Sequence, residues 1–591
     1  MAMSFESLAK TLNNYLTRLS ISKESLLLTY GTSGYRCEAF LLKGIATKKG
    51  KAIGVMVTAS HNPPSDNGLK VIDSDGGMLP PEVETGLVEF VKIPPSELTS
   101  WMKRHLPQDL DLTVSPRVFV GCDTRATSAE LAEEVCQAAQ ASGAVCTNYG
   151  LVTTPQLHLY VQRQVGYHLS SSFHLLVCEV AYTAEMAQRF AAALALLRGG
   201  THHLNVDCAH GVGGIAVASL AAYLHLELIK PNYPADSPRV CLHTYNTLTH
   251  DKPLLNNKCG ADFVKLYGLR PQLTPSQDNS LAFTGPSNER WASIDGDADR
   301  LIYFYPVQGS AEHVELIDGD RIAVLFASFI IRELKRQTPV PSLRLGVVQT
   351  AYSNAAATAY LQRDLGVEVT YAKTGVKYLH KAAKTFDFGI YFEANGHGTV
   401  LLSAAAKQFL TSLPSDNLLS VFFSLVNTAV GDALSDLLLV EFVLAARQLS
   451  LRDWRAMYEV LPSRQLKVAV ADRYVIKVSE NEFRTVKPEG VQVRCSTLVF
   501  FFLFFYQAAI DTLVTKVDSV AGRTSSSRAF IRPSGTEDTV RVYAESTTQA
   551  LADWLAHSVA RLVHSTLGGC GPMPADPGAL PTPTLVPPAS A

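Results

Sequence analysis

The sequence predicts an α/β protein of several domains that closes with a smaller α+β domain. Three observations carry this. Short apolar, β-branched runs recur: AIGVMVTA (52–59), RVFVGC (117–122), HLNVDCA (203–209), LIYFY (301–305), LRLGVVQTA (343–351), VEVTYA (367–372) and FGIYFEA (388–394). Stretches of helical period lie between several of them, such as 128–143 and 319–337, the latter opening acidic and closing basic as the helix dipole favours. Strands alternating with helices mark α/β units with parallel or mixed sheets. Residues 529–545 instead read as strand, loop, strand, followed by a helix through 566, which is an α+β pattern.

At roughly 100–200 residues per domain, 591 residues make about three to five domains. With 47% hydrophobic and 18% charged residues the chain can bury real cores. Lys+Arg number 52 and Asp+Glu 54, a net charge of -2, so no nucleic-acid partner is expected. Ten cysteines, none in a CxxC pair, are too sparse for a disulfide scaffold or a structural zinc site. The start, MAMSFESLAKTLNNYL, lacks the apolar stretch of a signal peptide. The expected compartment is therefore reducing and cytoplasmic. The run LVFFFLFFY (498–506) has nine residues where a bilayer span needs about 20, so no membrane partner is expected. The Pro- and Gly-rich end, 567–591, reads as a disordered tail.

Several polar motifs follow apolar strands, where ligands bind in open α/β sheets. TASHNP (58–63) sets Ser60 on a turn beside His61. That suits a nucleophile or phosphate carrier, and equally a plain stabilised turn; no GxSxG elbow is present. In DGDADR (295–300) the alternating Asp295, Asp297 and Asp299 can converge on one hard cation. An EF-hand would need Gly and Glu where the chain has Arg300 and Pro306, so Mg²⁺ beside a phosphate fits better than calcium. An acidic solvated turn is the other reading, and Arg300 could itself contact a phosphate oxygen. In EANGHG (393–398), Glu393 and Asn395 could bond sugar hydroxyls or only shape a left-handed turn. RPSGTED (532–538) with Arg541 could cradle a phosphate or be a hairpin loop with surface arginines. Arg36, in GTSGYR (31–36), could reach a phosphate. Lys70 could serve proton transfer or charge stabilisation, or be a solvated strand residue.

Taken in this order, the four motifs resemble those of the α-D-phosphohexomutase superfamily. The forms TASHNP, DGDADR, FEANGHGT and RPSGTEDTVRVYAE look most like its eukaryotic acetylglucosamine branch, as do CGADFVK (259–265), GVVQTAYSN (346–354) and KTGVKYLH (373–380). The resemblance implies four domains around a central cleft, three mixed-sheet α/β domains and a C-terminal α+β domain. Their expected limits are 1–164 for the phosphoserine domain, 165–306 for metal, 307–445 for sugar and 446–566 for phosphate.

It implies an isomerase that interconverts N-acetylglucosamine 6-phosphate and N-acetylglucosamine 1-phosphate through a phosphoserine and a sugar bisphosphate, on the way to UDP-N-acetylglucosamine. Ser60 would carry the phosphoryl group and, with Asp295, Asp297 and Asp299, hold Mg²⁺. His61, Lys70 and Arg36 would assist. Glu393, Ala394 and Asn395 would hold the sugar. Arg532, Pro533, Ser534, Gly535, Thr536 and Arg541 would hold the phosphate that is not reacting. The implied partners are small sugar phosphates, and the implied state is a monomer. A mutase for glucose or mannose phosphates, or a catalytically silent sugar-phosphate binder, are the alternatives. The chain departs from the family in several places: residues 165–202 and 233–258 match poorly, and the second stretch looks expanded. Only sixteen residues separate Arg36 from Ile53, Cys122 stands where Arg is frequent, and the apolar run 493–506 reads as a translated insert ahead of a helix at 507–517.

Overall fold

The computed structural model describes residues 52–80, 83, 97, 100, 117–141, 143–164, 173–248, 254–273, 290–486, 506–521, 527–534 and 538–581. Arg36, Gly535, Thr536, the short segment before Ala52 and most of the 493–506 run lie outside these residues. The chain divides into two compact units, Met1–Arg344 with Ala394–Trp454, and Leu345–Glu393 with Arg455–Ala591.

The first unit holds two mixed sheets. β1 (Ala52–Val57), β2 (Leu69–Ile72), β3 (Arg117–Cys122) and β4 (Val145–Leu151) lie in the order β2-β1-β3-β4. β1 runs antiparallel to β2 and parallel to β3. All six residues of β1 are buried, which explains a continuous apolar run where a half-exposed strand would alternate. Helix α1 (Ser128–Ala141) sets Ala132, Val135, Cys136 and Ala139 against Val55, Val57, Val118 and Val120. Cys136 is joined to Cys146 of β4 by a disulfide, for which the cysteine spacing had no signature. Helix α2 (Thr154–Arg163) starts with a capping box between Thr153 and Gln156.

The second sheet contains β5 (Thr201–Asp207), β6 (Arg239–Tyr245), β7 (Trp291–Ile294), β8 (Leu301–Pro306) and β9 (Val314–Ile317), in the order β6-β5-β7-β8-β9. β5 is parallel to β6 and β7, whereas β7–β8 and β8–β9 are antiparallel. The DGDADR motif is thus the hairpin connection from β7 to β8. Helices α3 (Phe173–Ala195), α4 (Gly213–Leu228), α5 (Ala261–Tyr267) and α6 (Gly319–Lys335) complete this part. The buried helix Ala433–Arg447 packs on α6, with Phe442 edge-on to Phe329.

In the second unit β10 (Leu345–Gln349) is parallel to both β11 (Glu368–Tyr371) and β12 (Phe388–Phe392). β13 (Ser463–Ala469), β14 (Arg528–Pro533) and β15 (Thr539–Glu545) form an antiparallel sheet in the order β13-β15-β14. Helices α7 (Tyr506–Ala521) and α8 (Gln549–Thr566) cover its apolar face, where Val468, Ile531, Val540 and Val542 meet Leu551, Leu555 and Val559. Residues 567–581 correct the expectation of a disordered tail from 567. Gly569 bridges to Val470, the Trp554 indole N–H donates to Gly578 O (3.1 Å), and Leu580 packs on the core. Pro and Gly prevent a helix there but do not prevent docking along one. No helix among the described residues is long and apolar enough to cross a membrane.

Candidate active site

The loop after β1 carries Ser60 with its backbone in the left-handed region, φ 50°. For a residue with a Cβ this conformation costs about 1–2 kcal/mol and needs external support. Ser60 N donates to Thr58 Oγ1 (2.9 Å), and Ser60 O accepts from Arg125 Nη2 and Asn256 Nδ2 (2.9 Å each). The buried Arg125 also donates to the carbonyls of Asn62 (3.0 Å), Asp66 (2.8 Å) and Pro63. Its Nε pairs with Asp123 Oδ2 (2.9 Å), which in turn accepts from the Thr58 hydroxyl (2.8 Å). One guanidinium therefore clamps the whole loop.

The β7–β8 connection is pinned from several sides. Gly296 O accepts from Val212 N, Ala298 O from Ala433 N, and Asp297 O from Thr154 N, each at 3.1 Å. Leu301 N donates to Gly396 O (3.2 Å), and this close approach requires glycine: Gly396 has φ 88° and a Cβ there would stand 1.9 Å from Leu301 O. The buried Asp295, Asp297 and Asp299 converge, with ligand oxygens within 4.8 Å of one another.

Ser60 Oγ donates to Asp295 Oδ2 (2.8 Å). Lys70 of β2 sends Nζ to Oδ2 of Asp297 (2.7 Å) and of Asp299 (2.8 Å), and the Thr154 hydroxyl donates to the same Asp297 Oδ2 (2.6 Å). Asp297 Oδ1 and Asp299 Oδ1 are buried without a hydrogen-bond partner. Hard oxygen donors from three carboxylates, two of them orphaned, fit a magnesium-like cation. Burial, with Asp299 and Asp297 beside it, holds the Asp295 carboxyl well above the usual range. Burial also opposes charge on Asp299, yet His397, Lys70 and Arg300 outweigh it and hold its carboxyl well below that range. Likewise the two carboxylates overcome burial and raise the Lys70 ammonium.

Arg300 Nη1 engages both oxygens of Asp262 (3.0 and 2.9 Å), in the first turn of α5. His61 Nε2 lies 3.6 Å from Asp262 Oδ2. Lys70 belongs to the carboxylate cluster and is no solvated strand residue.

In the second unit Arg532 and Arg541 sit directly opposite each other on β14 and β15, and Lys467 of β13 is opposite Arg541. Like charges in register destabilise a bare sheet, and a bound anion would offset that. Arg532 Nε donates to Glu482 Oε1 (3.0 Å), while Arg541 Nε is buried without a partner. Ser534 N closes its loop on Thr539 O (2.8 Å), just after Pro533 ends β14. In the EANGHG loop, Glu393 Oε1 accepts from Gly375 N (3.0 Å). Asn395 Oδ1 accepts from His397 N (3.1 Å), and Ala394 O lies 3.5 Å from Gly319 N.

The profile of phosphoacetylglucosamine mutase AMG1, domain III, matches residues 318–449. Profiles of phosphoglucomutase/phosphomannomutase match at domain I (42–94 and 96–172) and at the C-terminal domain (506–562). Phosphoacetylglucosamine mutase of Sus scrofa is 38% identical over 93% of this chain and 96% of its own length. The human phosphoacetylglucosamine mutase is 38% identical over 94% and 97%.

The chain belongs to the phosphoacetylglucosamine mutase family. Its fold is also that of the Aspergillus fumigatus N-acetylphosphoglucosamine mutase, solved in complex with GlcNAc-6P and magnesium, at 34% identity, a TM-score of 0.77, and coverage of 95% of this chain and 99% of that one. Within this family's fold, sequence reasoning missed Arg125, Asn256, Asp262 and Thr154. Arg125 follows the apolar run 117–122 in Asp123-Thr124-Arg125, which alone is a weak signal, and Asp262 is legible only as part of CGADFVK. Thr154 sits in TTPQ, which signals a helix start and nothing about a metal centre.

Proposed function

We propose that this chain interconverts N-acetylglucosamine 6-phosphate and N-acetylglucosamine 1-phosphate by phosphoryl transfer to and from Ser60. The observation that carries the reading is the Ser60 hydroxyl, 2.8 Å from Asp295 Oδ2 at a buried three-carboxylate cluster with two orphaned oxygens. In the reading, the Oγ–P bond of phosphorylated Ser60 breaks as the free sugar hydroxyl forms its own bond to that phosphorus and gives up its proton. The resulting bisphosphate turns over, and its other phosphoryl group returns to Ser60 Oγ. Asp295, Asp297 and Asp299, with the phosphorylated Ser60, would hold Mg²⁺, which would supply charge neutralisation at the transferring group. The Arg125 clamp keeps Ser60 aimed, which is how positioning contributes to such transfers.

His61 accepts or relays the proton, while Lys70 and Arg36, which stay protonated, steady the charge. Arg300, paired with Asp262, contacts a phosphate oxygen from this side of the centre. Glu393, Ala394 and Asn395 take the sugar, and Arg532, Pro533, Ser534, Gly535, Thr536 and Arg541 take the distal phosphate. Work as a cytoplasmic monomer feeding UDP-N-acetylglucosamine formation, with the four domain limits given above, belongs to the same reading.

The test is turnover of the purified chain with Mg²⁺ and a priming sugar bisphosphate on N-acetylglucosamine 6-phosphate and on glucose 6-phosphate. The acetylated sugar is preferred, and Ser60→Ala lowers kcat by about 10³-fold or more. Preference for glucose 6-phosphate overturns the substrate, and full activity of Ser60→Ala overturns the mechanism.

A further inference from the structure

We infer that Thr154 is a positioning residue of the carboxylate centre, whose hydroxyl decides which oxygen of Asp297 faces the cation. The inference rests on the reading of the three aspartates as a Mg²⁺ site.

Thr154 is 3% exposed and opens α2. The helix does not need its hydroxyl, because Thr153 and Gln156 already form the capping box. That hydroxyl instead donates to Asp297 Oδ2 at 2.6 Å, across 143 positions of sequence, while Thr154 N holds Asp297 O at 3.1 Å. The two carboxylate oxygens are thereby made different. Oδ2 has two donors, Thr154 and Lys70, whereas Oδ1 is buried with none.

Lys70 alone cannot make that distinction. Its Nζ is shared with Asp299 Oδ2, and its flexible side chain is 36% exposed. Thr154 is β-branched, buried and fixed on a capped helix, which restricts where its hydroxyl can point. The N-terminus of α2 also favours the negative charge of Asp297. Without the hydroxyl the carboxylate can rotate and spend its free oxygen on Lys70. Partners of this kind behind a metal ligand typically change metal affinity by about 10–100-fold.

The experiment titrates the full chain with Mn²⁺ and follows free Mn²⁺ by electron paramagnetic resonance. Thr154→Val weakens Mn²⁺ binding by about 10–100-fold, and Thr154→Ser stays within about threefold of wild type. In turnover, Thr154→Val needs proportionally more Mg²⁺ and recovers kcat when Mg²⁺ saturates, which a purely structural role would not produce. Wild-type affinity in Thr154→Val overturns the inference while leaving the site. Failure of the wild-type chain to bind Mn²⁺ overturns both. If Thr154→Val does not fold, Thr154→Ala is judged by the same criteria, and if that also unfolds the hydroxyl is a structural requirement and the inference is overturned.

Discussion

The Ser60–aspartate centre of the first unit and the arginine row of the second solve opposite electrostatic problems. In the first, three buried carboxylates share a site and are held by Lys70, Thr154, Arg300 and main-chain donors. In the second, Arg532, Arg541 and Lys467 stand in register across an antiparallel sheet, and the Glu482 carboxylate pairs with Arg532. The negative centre is fixed by contacts on nearly every side. In the positive row the buried Arg541 Nε has no hydrogen-bond partner and can turn to an arriving anion. The first arrangement suits a reacting group whose position must not vary, and the second suits a group that is held, released and exchanged.

The sharpest break of this comparison is Arg125→Ala. It leaves Asp123 buried without its ion-pair partner, takes the Arg125 donor from the Asp66 and Pro63 carbonyls, and leaves those of Ser60 and Asn62 with Asn256 Nδ2 alone. A loss of about 4 kcal/mol in urea unfolding is expected, with kcat falling as Ser60 loses its left-handed conformation. A loss below about 1 kcal/mol would show that the loop is held without the clamp.

A smaller effect separates the regions by pH. His158, on α2, is buried and hydrogen-bonded through Nδ1 to Gly76 O (2.7 Å), and burial lowers its pKa to about 4. An unfolded histidine titrates near pH 6.5, so below that pH the unfolded chain binds the extra proton. The stabilising contribution is complete above pH 6.5 and is lost as pH falls towards 4, amounting to about 3 kcal/mol at the lower end. Urea unfolding of the wild type against His158→Gln reads it: the difference between them shrinks with falling pH. A difference constant with pH would remove this contribution.

The smallest effect belongs to the arginine row. Arg541→Lys keeps the charge but removes the planar fork, and should raise KM for the sugar phosphate about tenfold, or about 1.4 kcal/mol, with kcat little changed. An equal fall in kcat at unchanged KM would place Arg541 with the reacting group and blur the contrast between the two regions.

Legibility differed between the two as well. RVFVGC coincides with β3, and the helix foreseen at 319–337 is α6 at Gly319–Lys335, because apolar periodicity reports local burial directly. The row of cations was half legible: Arg532 and Arg541 were singled out, but their opposition follows from a hairpin register, and Lys467 joins only through the third strand. At the aspartate centre the carboxylates were legible because they alternate within one loop. Their partners were not, since Arg125, Asn256, Asp262 and Thr154 are ordinary polar residues in local context. The disulfide of Cys136 with Cys146 and the docked segment 567–581 were missed for a related reason: neither cysteine spacing nor Pro and Gly content specifies what the chain packs against.

Sequence alone determined the alternation of strands and helices, the α/β character with an α+β C-terminal end, and the motif loops that carry Ser60, the aspartates and the arginines. These depend on periodicity and residue type within a few positions. Only the tertiary structure decided that Lys70 meets Asp297 across 227 residues, that Arg125 holds the Ser60 loop, and that Asp297 keeps one oxygen bonded and one bare. Those outcomes depend on sheet order and on which loops the strand ends bring together, and no local pattern of side chains encodes a distance between two loops.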